Sequence, residues 1–181
     1  WSSDVCSSDL MVSDVDGTPD NEFLFRTDGT ANADGSFTGG GADVAEYYYI
    51  DGNAEEGDLV SINESDNQYP AGKSLKKSSG TTYDDQVVGI VSTNPGLVAG
   101  GGDADTESEH TNQKPIALAG RVPVKVSLEN GVIKKGDYLT SSSTPGVAMK
   151  ASESGKAIGI ALENYDGNVK MSDGVLIVEN E

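Results

Sequence analysis

An internal repeat constrains this chain more than any other feature. Glu55-Glu56-Gly57-Asp58-Leu59-Val60-Ser61 is followed by Leu75-Lys76-Lys77-Ser78-Ser79 and then by Val87-Val88-Gly89-Ile90. The same order returns as Lys134-Lys135-Gly136-Asp137-Tyr138-Leu139-Thr140, Met149-Lys150-Ala151-Ser152 and Ala157-Ile158-Gly159-Ile160. Each copy reads as a Gly-Asp turn, a strand, a loop, a Lys-containing strand ending in Ser, a turn, and a strand carrying Gly-Ile. Neither copy can close a core alone, so the two are expected to pack into one β-barrel or sandwich. Gly89 and Gly159 inside strands predict bulges or a close backbone approach. The apolar residues are rich in Val and Ile with little helical periodicity, so the fold class is all-β.

Around the repeat, residues 116–128 alternate, with Ile116, Leu118, Val122, Val124, Val126 and Leu128 as the expected inward set. A last strand is expected over Gly174–Val178. Between the copies, residues 98–113 are glycine-rich and acidic, with Asp103, Asp105, Glu107 and Glu109 beside the single His110. That stretch reads as a solvated loop. Upstream, Asp28-Gly29 and Asp34-Gly35 are hairpin-type turn signals between short segments that carry the only phenylalanines, Phe23, Phe25 and Phe37. Strands so short cannot bury them within one copy, which points to an extended, fibre-like β segment shared between chains.

Fibre and repeat meet at Gly39-Gly40-Gly41-Ala42-Asp43-Val44-Ala45-Glu46-Tyr47-Tyr48-Tyr49-Ile50. Three glycines give the backbone freedom immediately before a run of β-formers. Asp43 and Glu46 are three apart, a spacing that shares one face of a helical turn or meets in a tight turn. A carboxylate pair can cleave a peptide bond if one member acts as acid while the other activates water. Asp51, Glu55 and Glu56 lie near enough in sequence to raise the pKa of one of the pair.

Gly41-Ala42-Asp43-Val44-Ala45-Glu46-Tyr47, with Val88–Pro95 and Gly120-Arg121-Val122-Pro123-Val124, resembles the intramolecular-chaperone autoproteolytic cleavage domain. That family closes the tail spikes and neck appendages of some bacteriophages and many fibrous bacterial surface proteins. The resemblance runs from about Phe37 to about Asn180. It implies a single-turnover, self-cleaving glutamic-type endopeptidase with Asp43 and Glu46 as catalytic residues and Ala42–Asp43 as the cleavage site. It also implies a homotrimer that templates an upstream fibre domain of the same chain, on a virion tail or an extracellular cell surface. The family pattern has Ser before the Asp, where this chain has Ala42.

The expected organisation is therefore residues 1–10, which resemble a translated sequencing adaptor, then 11–38 as a fibre-end linker, then 39–181 as the autocleavage β domain. The only cysteine, Cys6, lies in the first of these, so no disulfide is expected. The chain is expected to be the C-terminal piece of something longer.

Charge narrows the partners. Residues 1–113 hold 22 acids and 4 bases, whereas 114–181 hold 8 of each. Nucleic acid demands the opposite sign, and an anionic membrane would repel this surface. No apolar run approaches the length of a membrane-spanning helix. Asp14, Asp16 and Asp20 around Gly17 are a weak candidate calcium loop, without the full ligand run of an EF-hand. No Cys/His spacing, phosphate loop or Ser/His/Asp set is present, so no cofactor is expected. Three function classes remain: a self-cleaving assembly domain, a non-cleaving structural cap, and a receptor- or glycan-binding tip.

Overall fold

The computed structural model describes residues 40–65, 74–100 and 112–167 in full, and the backbone of three strands at 23–25, 31–33 and 176–180. The adaptor-like residues 1–10, the aspartates Asp14, Asp16 and Asp20, and His110 with its acidic neighbours lie outside the described residues. The chain divides into two units, Trp1–Thr38 and Gly39–Glu181. In the first, β1 (Phe23–Phe25) and β2 (Ala31–Ala33) form a small antiparallel sheet with Leu24 opposite Asn32.

The second unit is all-β among its described residues. Its strands are β3 (Asp43–Asp51), β4 (Leu59–Ile62), β5 (Ser74–Lys77), β6 (Val87–Val91), β7 (Leu97–Ala99), β8 (Gln113–Val124), β9 (Tyr138–Ser141), β10 (Ala148–Lys150), β11 (Gly159–Ala161) and β12 (Leu176–Asn180). β3 pairs with both β5 and β8, and β5–β4–β6–β8 completes the circuit, so these five strands close a barrel. From β8 the sheet continues through β12, β11, β9 and β10.

The repeat is visible in the register. Val60 opposes Lys77 and Gly89; Leu139 opposes Lys150 and Gly159. Leu59 opposes Ile90 as Tyr138 opposes Ile160. The Gly57 N–H donates to Val91 O at 2.9 Å, and the Gly136 N–H to Ala161 O at 2.8 Å. In both turns the Asp carboxylate accepts the N–H of the residue three before it, Glu55 or Lys134, at 2.8 Å. Both also pair with the lysine of the following strand: Asp58 with Lys77, and Asp137 with Lys150, at 2.8 Å each. The lysine and aspartate of the sequence pattern are thus a side-chain clasp over each hairpin.

Two apolar clusters explain why the two copies need each other. Ile50, Ala54, Val60, Leu75, Val91 and Ile116 fill the barrel. Leu59, Val87, Ile90, Ala117, Val122, Val124, Ile133, Leu139, Ala148 and Ala161 form the second cluster, which joins the two copies. β4, β6 and β8 send consecutive residues to opposite clusters, as a strand buried on both faces must. Tyr83 adds a polar tie, its hydroxyl accepting the N–H groups of Ser152 at 2.8 Å and Glu153 at 3.1 Å across the copies.

One sequence expectation changes. Leu118 and Leu128 are 38% and 37% exposed rather than inward. At Leu118 the cause is a register break: Val44 opposes Ala119 and Ala45 opposes Ala117, so Leu118 is the extra residue of a bulge. The last strand is found where expected, as β12 over Leu176–Asn180, and Gly174 and Val175 lie outside the described residues.

Gly89 behaves as its position predicted. The β4–β6 register shifts between Val60 and Ser61, beside Gly89, and a β-carbon on Gly89 would meet Ala117 O and lie 2.8 Å from Ile116 Cγ2. Gly159 takes the equivalent place opposite Leu139, with no register shift. Gly89→Ala is therefore expected to destabilise the barrel by about 1–3 kcal/mol or more, because a backbone oxygen cannot move aside as a side chain can. Chemical denaturation checks this; an unchanged midpoint would show that β6 and β8 do not close at that point.

Candidate functional site

The junction enters the barrel through a slot lined by glycine. Just before β3, Gly41 crosses the turn Asn94-Pro95-Gly96. A β-carbon on Gly41 would collide with Asn94 O and Gly96 N, and one on Gly96 would lie 2.6 Å from Gly41 O. On the other side runs Gly120 of β8, with φ +103°. A β-carbon there would lie 2.5 Å from Ala42 O and 2.7 Å from Asp43 Cα. The Ala42–Asp43 peptide therefore passes where flanking side chains are sterically forbidden.

Hydrogen bonds hold that peptide on both sides. The Arg121 N–H donates to Ala42 O at 3.1 Å, and the Gly96 N–H donates to Asp43 O at 2.8 Å. Asp43 is buried at 5% exposure, whereas Ala42 is open to solvent. The Asp43 Oδ2 atom is buried and has no hydrogen-bond partner among the described residues. Such an atom is costly to leave unpaired. Asp43 lies in an open cleft whose other walls include Gly40, Ala42, Thr93, Asn94 and Arg121. The Arg121 guanidinium makes no ion pair with a described residue; Asp58 of the acidic half pairs with Lys77 and Lys125 instead.

Glu46 is placed differently. Residues 43–51 are one extended strand, not a helical or tight turn, because the β-forming run from Tyr47 continues back to Asp43. Three residues along a strand span about 10 Å and point to opposite faces. Asp43 and Ala45 are buried on one side; Val44 and Glu46 lie on the other. Glu46 accepts the hydroxyl of Tyr48 at 3.1 Å. Burial raises the Tyr48 pKa, and the Glu46 hydrogen bond and charge raise it further. Within one chain Asp43 and Glu46 do not meet. Asp51 lies at the far end of β3 and accepts Asn63 at 2.9 Å, and Glu55 pairs with Lys125 at 3.0 Å, so neither crowds Asp43.

Sequence reasoning missed Gly96, the N–H of Arg121 and strand β7 as parts of this site. The signals were a Pro-Gly step and a three-residue apolar run bounded by glycines, both too short to place. No group of metal-ligating side chains occurs among the described residues.

No family model matches the chain, and no curated protein matches it. Its fold is similar to two crystal structures from bacteriophage phi29. Pre-mature gene product 12 matches at a TM-score of 0.62 and 17% identity, over 88% of this chain and 24% of that one. The C-terminal fragment of gene product 12 matches at 0.51 and 18%, over 77% of this chain and all of the fragment. The chain thus spans about a quarter of the length of the first.

Proposed function

We propose that this chain is the C-terminal assembly domain of a trimeric phage-tail or surface fibre, and that after folding it hydrolyses its own Ala42–Asp43 bond once. The observation that carries this reading is the slot. A peptide bond flanked by Gly41, Gly96 and Gly120, with hydrogen bonds on both carbonyls and an unpartnered buried carboxylate beside it, is costly to build for a passive linker. The fold likeness adds that a protein with a pre-mature form carries this fold, and that a C-terminal fragment of that protein carries it too.

Assembly is supported by exposed apolar surface at the same place. Val44 and Leu97 are 46% and 53% exposed and are register partners, with exposed Ala119 opposite Val44. Copies of the chain covering this patch would bury it. Glu46 stands on that face, so in this reading it serves the bond of a neighbouring copy. Sedimentation equilibrium at micromolar concentration is expected to give three chains per particle; a monomer contradicts the assembly. Glu46→Gln is expected to slow cleavage at least tenfold with the trimer intact, and a parent rate in that variant removes Glu46 from the chemistry.

A second reading, a structural cap that never cuts, is favoured by one observation: Asp43 and Glu46 lie on opposite faces of β3. A denaturing gel separates the two readings, with one band for the cap and two for the self-cleaving domain.

A further inference from the structure

Resting on the cleavage reading, we infer that Asp43 is the nucleophile, attacking the carbonyl carbon of its own preceding peptide bond while the Arg121 N–H holds the developing oxyanion. Among the described side chains that line the cleft, Asp43 carries the only carboxylate. Glu46 of the same chain is about 10 Å along the strand and turned away, so its part in cleavage is on a neighbouring copy's bond and not as the nucleophile here. Ala42 offers no nucleophile of its own. The Asp43 carboxylate, in contrast, is tethered to the bond it must reach: attack by Oδ2 closes a six-membered ring through Cγ, Cβ, Cα and the amide nitrogen. Such a tether replaces a bimolecular encounter with an intramolecular one. Its nucleophilic oxygen is Oδ2, the buried atom that has no described hydrogen-bond partner and so gives up none on attack.

The electrophile is prepared from the other side. Arg121 donates its N–H to Ala42 O at 3.1 Å, the donor geometry that stabilises an oxyanion as it forms. Gly120 permits that approach, since any β-carbon there would displace Ala42 O.

The step balances as a hydrolysis in two stages. Oδ2 forms a bond to the Ala42 carbonyl carbon, and the tetrahedral centre collapses as the C–N bond breaks. The bonding pair goes to nitrogen, which takes a proton from the water that reaches the exposed Ala42 side and leaves as the Asp43 amine. A mixed anhydride then joins the Ala42 carboxyl to the Asp43 side chain. Water cleaves it, giving two carboxylates and two protons, one neutralising the hydroxide left by the first stage and the other protonating the Asp43 amine.

The test uses the whole chain during its first cleavage. Hydroxylamine present at neutral pH is expected to trap the anhydride as a hydroxamate on Ala42 or on the Asp43 side chain, located by fragment mass spectrometry. Asp43→Asn is expected to cut at least a hundredfold more slowly with an unchanged melting curve. Cleavage with no hydroxamate at saturating hydroxylamine overturns the nucleophile while leaving self-cleavage standing, and so does Asp43→Asn cutting at the parent rate. A parent chain that never cuts overturns both.

Discussion

Asp58→Ala is expected to lower the melting temperature of the folded chain by roughly 6–12 °C, about 3 kcal/mol at 2–4 °C per kcal/mol. Asp58 is 1% exposed, yet its carboxylate is fully used. Lys77 and Lys125 each reach it at 2.8 Å, and the Glu55 N–H donates at 2.8 Å. Lys125 reaches in from just beyond β8, so Asp58 ties the hairpin of the first copy to the strand that both copies share. Removing one member of a buried charge cluster leaves the others unpaired. The two lysines are 30% and 34% exposed and can turn toward water, which keeps the loss near the low end of the range for buried pairs.

The equivalent change in the second copy, Asp137→Ala, is expected to cost under about 1 kcal/mol, because that pair is solvent-screened. Equal losses in the two variants would show that burial does not set the difference.

Acid should expose the same cluster. Burial alone would raise the Asp58 pKa, but hydrogen bonds from Lys125, Lys77 and the Glu55 N–H outweigh it and hold the carboxyl below its ordinary 3.8. A folded-state pKa below the unfolded one contributes stability that is complete above pH 3.8 and lost as pH falls through the lowered value. Melting curves between neutrality and strong acid should therefore converge for the parent and Asp58→Ala only at the acid end. A constant gap down to strong acid would contradict the assignment.

Gly120→Val is the second large change. It places a β-branched side chain at φ +103° and drives its β-carbon into the Ala42–Asp43 peptide. The backbone penalty alone is of the order of 1–3 kcal/mol, and the collision adds to it. The expected result is a folded distal half with a displaced junction. Residues 40–43 should become cleavable by added protease, the Arg121 amide should lose its protection from hydrogen exchange, and self-cleavage should stop. A variant that keeps that protection and still cuts would mean the slot is wider than described.

The two repeats were legible in the sequence because each is a local hairpin set, marked by a Gly-Asp turn, a lysine in the next strand and a Gly-Ile strand in the same order. Barrel closure was not. β3 joins β5 and β8 across long separations, and nothing in Tyr47–Ile50 states which strands will flank it. Leu118 looked inward because alternation assumes an unbroken pleat, and a bulge breaks it there. At the site, the sequence named Ala42, Asp43 and Glu46 and assigned the pair to one turn. The β propensity of the tyrosines drew Asp43 through Glu46 into the strand instead, which separated the carboxylates. The partners of the bond, Gly96, Gly120 and the N–H of Arg121, are backbone features brought from a distant turn and a distant strand. Side-chain patterns carry no record of them.

Self-cleavage is tested most directly by the intact mass of the purified, folded chain, followed from expression over days. The expected record is a full-length species replaced once by two fragments that end at Ala42 and begin at Asp43, with the larger fragment still assembled. A full-length mass that persists unchanged in a folded trimer would contradict self-cleavage and leave the domain as a structural cap.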